Sequence, residues 1–170
     1  RDRYYLVTIL LMGVLGSLAS VMLRIELDSK SCNLVVLSNS GMYNSITTLH
    51  GLVLIFFTVM PSMIGGVGNT LCPIILGSPE VAYPRLNLSS LVGLLLSFIV
   101  LCYSTIVEYG YSNGVGWTLY TPLSSSSTSL GTVSISILLT VLIGSGITST
   151  LTSINFLVLL SLRSCGMLMA

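Results

Sequence analysis

Charge is what this sequence has least of: 6% of its 170 residues are Asp, Glu, Lys or Arg, where a soluble domain carries roughly 25%. That scarcity excludes an ordinary water-soluble globule. Net charge is +1 with no basic run, so the positive patch that nucleic-acid binding requires is missing and no nucleic-acid partner is expected. The four cysteines, Cys32, Cys72, Cys102 and Cys165, form no CxxC pair and no Cys/His zinc spacing, so they read as small apolar side chains. A secretory leader is also unsupported, because the first apolar run exceeds the roughly 7–15 residues of a signal peptide's apolar core and remains in the chain.

What the chain has in plenty is apolar surface: 53% of residues are hydrophobic and the mean hydropathy is +0.99. Runs long enough for a crossing of about 20 residues cover 4–23, 47–64, 88–107 and 133–162. The spacing therefore predicts an all-α membrane protein with four transmembrane helices in a single membrane segment, 1–170. The last run is longer than a crossing needs, which suits a tilted span or one that begins in the interface near Ser134. All the charged residues lie between or at the ends of these runs. Arg1, Arg3, Arg85 and Arg163 fall on one side, against Arg24 and Lys30 on the other, so the positive-inside rule places both termini on the matrix or cytoplasmic side. The segment between the second and third runs is dense in Gly and Pro (Gly65, Gly66, Gly68, Pro73, Gly77, Pro79, Pro84) and is expected to be a tightly folded inner loop. Small residues at Gly13, Gly16 and Ser17, and at Gly144, Gly146, Ser149 and Ser153, allow helices to approach closely.

His50, the single histidine, lies about a turn into the second run. An ionisable group at that depth is a candidate functional residue because burying it without compensation is costly. Imidazole is an axial haem ligand, and Leu49, Leu52, Val53 and Leu54 around it suit a macrocycle kept from water; a histidine hydrogen-bonded to another helix satisfies the same pattern. Arg24, at the outer end of the first run, offers a guanidinium to a cofactor edge or to headgroups. Trp117, the only tryptophan, stands with Tyr120 where an interfacial aromatic belt would also put them.

The order of motifs is more specific. The stretch from Tyr43-Asn44 through Thr48-Leu49-His50, Ile55-Phe56-Phe57, Val59-Met60-Pro61 and Gly65-Gly66-Val67-Gly68-Asn69 resembles the second span of cytochrome c oxidase subunit I and its haem-copper relatives. The likeness continues through Gly77-Ser78-Pro79-Glu80-Val81-Ala82-Tyr83-Pro84-Arg85-Leu86-Asn87, Gly116-Trp117-Thr118-Leu119-Tyr120 and Ser153-Ile154-Asn155-Phe156, with Leu23-Arg24-Ile25-Glu26-Leu27 upstream.

This resemblance implies that the four helices are part of a haem-copper bundle of about twelve, associated as membrane helices associate. It implies that His50 is an axial ligand of a low-spin haem, expected to be haem A, and that Arg24 hydrogen-bonds a polar substituent of that haem. Ser20, Gly116 and Trp117 would lie against the same group, and Glu26 would contribute to an outer-side cation site. Glu80 would be the acidic mouth of a proton pathway, with Asn69 and Asn87 as an amide pair inside it and Tyr5, Thr148, Ser149 and Asn155 continuing the route.

The second axial ligand, the high-spin haem and the copper ligands are not expected in this chain, which has one histidine. The low-spin haem would thus be shared with a partner polypeptide: the rest of subunit I with the later spans, alongside other oxidase subunits and lipid, in a subunit expected to be made in pieces. The implied activity is that of a cytochrome c oxidase, an oxidoreductase and proton pump incomplete in this chain alone. The implied location is the mitochondrial inner membrane, with a bacterial plasma membrane as the alternative. A non-catalytic scaffold derived from the family is the competing reading. Its support lies in the departures: Glu80 where most members have aspartate, Val115 and Thr121 around the tryptophan motif, and Ser134 with Leu139 or Thr140 in place of the family's polar pair in the fourth span.

Overall fold

The computed structural model describes residues 2–28, 40–107, 114–121, 124–125 and 132–167; Lys30, Cys32, Glu108, Ser126 and Ser127 lie outside the described residues. The described residues are mostly helical, with α1 over Asp2–Asp28, α2 over Ser40–Leu52, π-helical stretches over Val53–Val59 and Ser62–Gly68, α3 over Asn69–Ile75, α4 over Pro84–Val107 and α5 over Thr132–Met167. Four helical runs are long and apolar enough to cross a membrane: Arg3–Asp28, Gly41–Ile75, Pro84–Thr105 and Ile135–Leu162. The 27 residues of α1 make about 40 Å of helix at 1.5 Å per residue, enough for a hydrocarbon core of about 30 Å.

The second run departs from the expected loop. Helix continues beyond Ile64 to Ile75, so Gly65, Gly66, Gly68 and Pro73 are helical, and the inner connection shrinks to Leu76–Tyr83. Two π-helical stretches make this possible. Pro61 lacks an N–H and its ring crowds the carbonyl one turn back, and a wider π turn relieves that crowding without ending the helix. Thr58 fills part of the loosened ladder by donating its Oγ1–H to the Val53 carbonyl at 3.0 Å.

Packing follows from where small residues sit. A Cβ at Gly16 would come within 2.7 Å of the Leu54 side chain, and one at Gly13 within 3.2 Å of Thr58. The glycines therefore seat α1 against the first π-helical stretch. Gly93 against Thr148 and Gly144 against Ser97 do the same for α4 and α5. The main core gathers Met12, Leu52, Val53, Phe57, Leu94, Phe98, Leu101, Val115, Leu138 and Val141 from all four runs and the outer turn. Phe57 and Phe98 meet there with ring centroids 5.6 Å apart, within the range of favourable tilted aromatic pairs.

Val115 belongs to this core and is fully buried. This departure from the motif is thus accommodated by apolar packing. Outside the core, α1 exposes Tyr4, Val7, Leu10, Leu11, Val14 and Leu18, and α5 exposes Ile143, Ile147 and Leu157, surfaces suited to hydrocarbon or further apolar helices.

Candidate functional site

At the end of the bundle expected to face outward, α1 and α2 bring His50 to the Gly16 carbonyl, with Nδ1 2.8 Å from the oxygen. A carbonyl only accepts, so Nδ1 carries the proton, and in the neutral ring the lone pair is then on Nε2. Such an anchor to a backbone carbonyl is the usual way a protein fixes the tautomer and ring direction of a metal-binding histidine. Gly16 is needed twice here, since its missing Cβ admits Leu54 and the resulting close approach brings its carbonyl within reach of the ring. On α1, Gly16, Ser20 and Arg24 recur at intervals of four, which places them along one stripe of the helix. Arg24, with Val21, Ile25, Leu27 and Asp28, lines an open cavity of about 440 Å³ at the end of this stripe.

The turn carrying Trp117 is fastened to α2. Gly116 N–H donates to Thr48 Oγ1 at 3.2 Å, and Thr48 in turn donates to the Asn44 carbonyl at 2.9 Å. Gly116 has φ +79° and Leu119 φ +56°; the first is easy for glycine, and the second is the left-handed conformation that closes the turn. Bonds from Leu119 N–H to the Gly116 carbonyl (3.2 Å) and from Tyr120 N–H to the Val115 carbonyl (3.0 Å) complete it. The Trp117 ring lies 6.5 Å from Phe56, centroid to centroid. His50 and Trp117 are thereby tied to one helical run, through Thr48 two residues before His50 and its hydrogen bond to Gly116, the residue before Trp117. Glu26 is half-buried near the end of α1, and among the described residues no group of three His, Cys, Asp or Glu side chains converges to hold a metal.

At the end expected to face inward, Asn69 and Asn87 meet. Asn69 Nδ2 donates to the Gly65 carbonyl at 2.7 Å and to Asn87 Oδ1 at 3.2 Å. Asn69 is 2% exposed, yet its Oδ1 has no protein partner among the described residues. A buried carbonyl oxygen in that state calls for a donor. Asn69 lines a cavity of about 320 Å³ together with Thr70, Ser78, Glu80, Pro84 and Asn87.

A second, smaller cavity of about 20 Å³ lies among Tyr5, Gly65, Ser90, Thr148, Ser149 and Thr152, large enough for one water. Tyr5 donates to the Asn87 carbonyl at 3.0 Å and pairs with Ser90 Oγ. Gly65 faces the Tyr5 ring where a Cβ would come within 2.7 Å. Thr148 and Ser149 lie on this wall, each donating to the Ser145 carbonyl, at 2.8 and 3.0 Å. Asn155 lines neither cavity.

A family model described as "Cytochrome C and Quinol oxidase polypeptide I" matches residues 3–170. The chain belongs to this family. The similar relatives include cytochrome c oxidase subunit 1 of Plasmodium falciparum, 44% identical, and of Plasmodium berghei, 45% identical, each over 96% of this chain and 34% of the relative. That of Plasmodium chabaudi is 44% identical over the same shares. The chain thus spans about a third of the length of these oxidase subunits. Against the family background the four spans, the anchored His50 and the inner amide pair form two polar regions at opposite ends of one apolar bundle. Contributors not marked as site residues by the sequence include Ser90, the Gly16 carbonyl and Thr48. The Gly16 carbonyl leaves no side-chain signature, although the small residues at Gly13, Gly16 and Ser17 marked the close approach that creates it. Thr48 sat in the quoted motif, but its bond to Gly116 spans 68 positions and has no local periodicity.

Proposed function

We propose that this chain forms the low-spin haem and proton-entry part of the large subunit of a terminal respiratory oxidase, a cytochrome c oxidase of the mitochondrial inner membrane. The observation that carries the reading is the His50 anchor: Nδ1–H fixed on the Gly16 carbonyl leaves a directed Nε2 lone pair on a half-buried ring. That is the donor an axial haem site needs. A haem A bound there supplies one-electron transfer. Arg24, at the far end of the Gly16–Ser20–Arg24 stripe, would donate hydrogen bonds to a polar substituent of that haem, and Ser20, Gly116 and Trp117 would lie against it. The second axial ligand, the other haem and the copper ligands come from the rest of the subunit, and Glu26 awaits further outer-side oxygen donors for any cation.

At the inner surface, exposed Glu80 stands at the open cavity and gathers protons from bulk water. The Asn69–Asn87 pair orients water without adding charge, and Tyr5, Ser90, Thr148 and Ser149 provide hydroxyls that both donate and accept. The unpartnered Asn69 Oδ1 supports this reading because a water in the cavity would satisfy it.

The experiment is capture of the complex from membranes through a tag on this chain, followed by a reduced-minus-oxidised spectrum. A low-spin haem band and a polypeptide carrying further spans are expected to copurify. A stable pigment-free preparation would favour a scaffold.

A further inference from the structure

We infer that Asn155 is a positioning residue that locks the inner connection in place, and so sets where Glu80 stands at the cavity mouth. The inference rests on the proton-entry reading above and changes what Asn155 does within it. Asn155 is the one amide side chain in α5 and is 0% exposed. Both of its polar atoms go to a single backbone residue: Oδ1 accepts from Tyr83 N–H at 2.8 Å and Nδ2 donates to the Tyr83 carbonyl at 3.1 Å.

The local sequence makes this grip possible. Tyr83 precedes Pro84, and a residue before proline is driven to extended backbone, where its own N–H and C=O point to the same side. An amide fork matches that pair, with one donor and one acceptor, so α5 adds a two-bond bridge to an isolated extended residue. The Tyr83 carbonyl also accepts from Asn87 N–H at 3.2 Å, which starts α4, with Pro84 suited to the first helical position. Asn155 therefore fixes the start of the helix that carries Asn87 and Ser90.

The other end of the connection is closed independently. Gly77, at φ +62°, lets Ser78 N–H reach back to the Pro73 carbonyl at 2.8 Å, in the manner of a helix C-terminal cap. Ser78 Oγ also bonds the Glu80 carbonyl. Glu80 is thus held on a short segment pinned at both ends, and the pin at Tyr83 comes from a different span. Asn155 lines neither cavity, which separates it from Asn69 and Asn87.

The test uses Asn155→Leu, which keeps bulk and removes both bonds, and Asn155→Ala, which removes bulk as well. Hydrogen–deuterium exchange on the assembled oxidase is read at the Tyr83 amide, with α5 amides between Ile143 and Leu151 as the folding control. Turnover is measured at varied reductant. Tyr83 exchange is expected to accelerate about tenfold or more in both variants, the scale of a lost net hydrogen bond, with α5 exchange unchanged. The maximal rate should fall severalfold while KM for the reductant holds. Parental Tyr83 exchange in Asn155→Leu overturns the clamp. Accelerated exchange with an unchanged maximal rate overturns its positioning role, provided Glu80→Gln slows the same enzyme. If Glu80→Gln has no effect, the proton-entry reading fails and the exchange rates alone decide the clamp.

Discussion

Among single residues, His50 and Arg24 show how far a side chain's chemistry can be read before its surroundings are known. A lone histidine in an apolar run marks itself by its cost, and the ordered motif around it points to haem. The sequence does not say which ring nitrogen is available. That is settled by a backbone carbonyl 34 positions away, and backbone acceptors have no residue-type signature. Arg24 is the converse case: its chemistry is plain, but the sequence does not say what its guanidinium donates to. Arg24→Met keeps the length of the side chain and removes the donors. The expected outcome is an assembled oxidase whose low-spin haem band and midpoint potential are displaced, measured by potentiometric titration; an unshifted band would return Arg24 to a headgroup contact.

Within an element, the second span teaches most. Its apolar run from Thr47 to Ile64 was legible by length, but the Gly- and Pro-rich stretch after it reads as loop because those residues normally end helices. Two π-helical stretches carry the chain through Pro61 and the glycines, and Asn69 delivers its side-chain amide to the Gly65 carbonyl. A period of 3.6 does not encode such a register change. The glycines that looked like turn formers are close-approach positions, Gly65 against Tyr5 and Gly68 against Phe156. The same logic governs α1. Gly16→Ala would set a methyl 2.7 Å from the Leu54 side chain and 3.2 Å from Val53, so that these side chains or α1 itself must shift, at a cost of about 1–3 kcal/mol, typical of overpacking. A lower thermal midpoint and a displaced haem band are expected together, because one shift disturbs both packing and the carbonyl that orients His50. Destabilisation with an unmoved band would separate the packing from the ligand.

For the molecule as a whole, composition and four apolar runs were enough to place the chain in a membrane, and the motif order was enough to name its family. The two polar regions at opposite ends of the bundle were legible only as residues, because the pairings that build them, Gly116 with Thr48 and Asn69 with Asn87, join different spans or loops. Glu80 makes the division of labour testable. Glu80→Gln keeps shape and polarity but cannot exchange a proton, so turnover and proton uptake should drop severalfold in flow-flash measurements while the haem spectra and yield of complex stay intact. Glu80→Asp should recover most of the activity. Normal uptake in Glu80→Gln would move proton entry elsewhere. The central claim, that this chain holds a low-spin haem through His50, is tested most directly by the reduced-minus-oxidised spectrum of the complex carrying His50→Ala. The account predicts loss of the low-spin band, with little assembled complex recovered, whereas a spectrum and yield identical to the parent would contradict it.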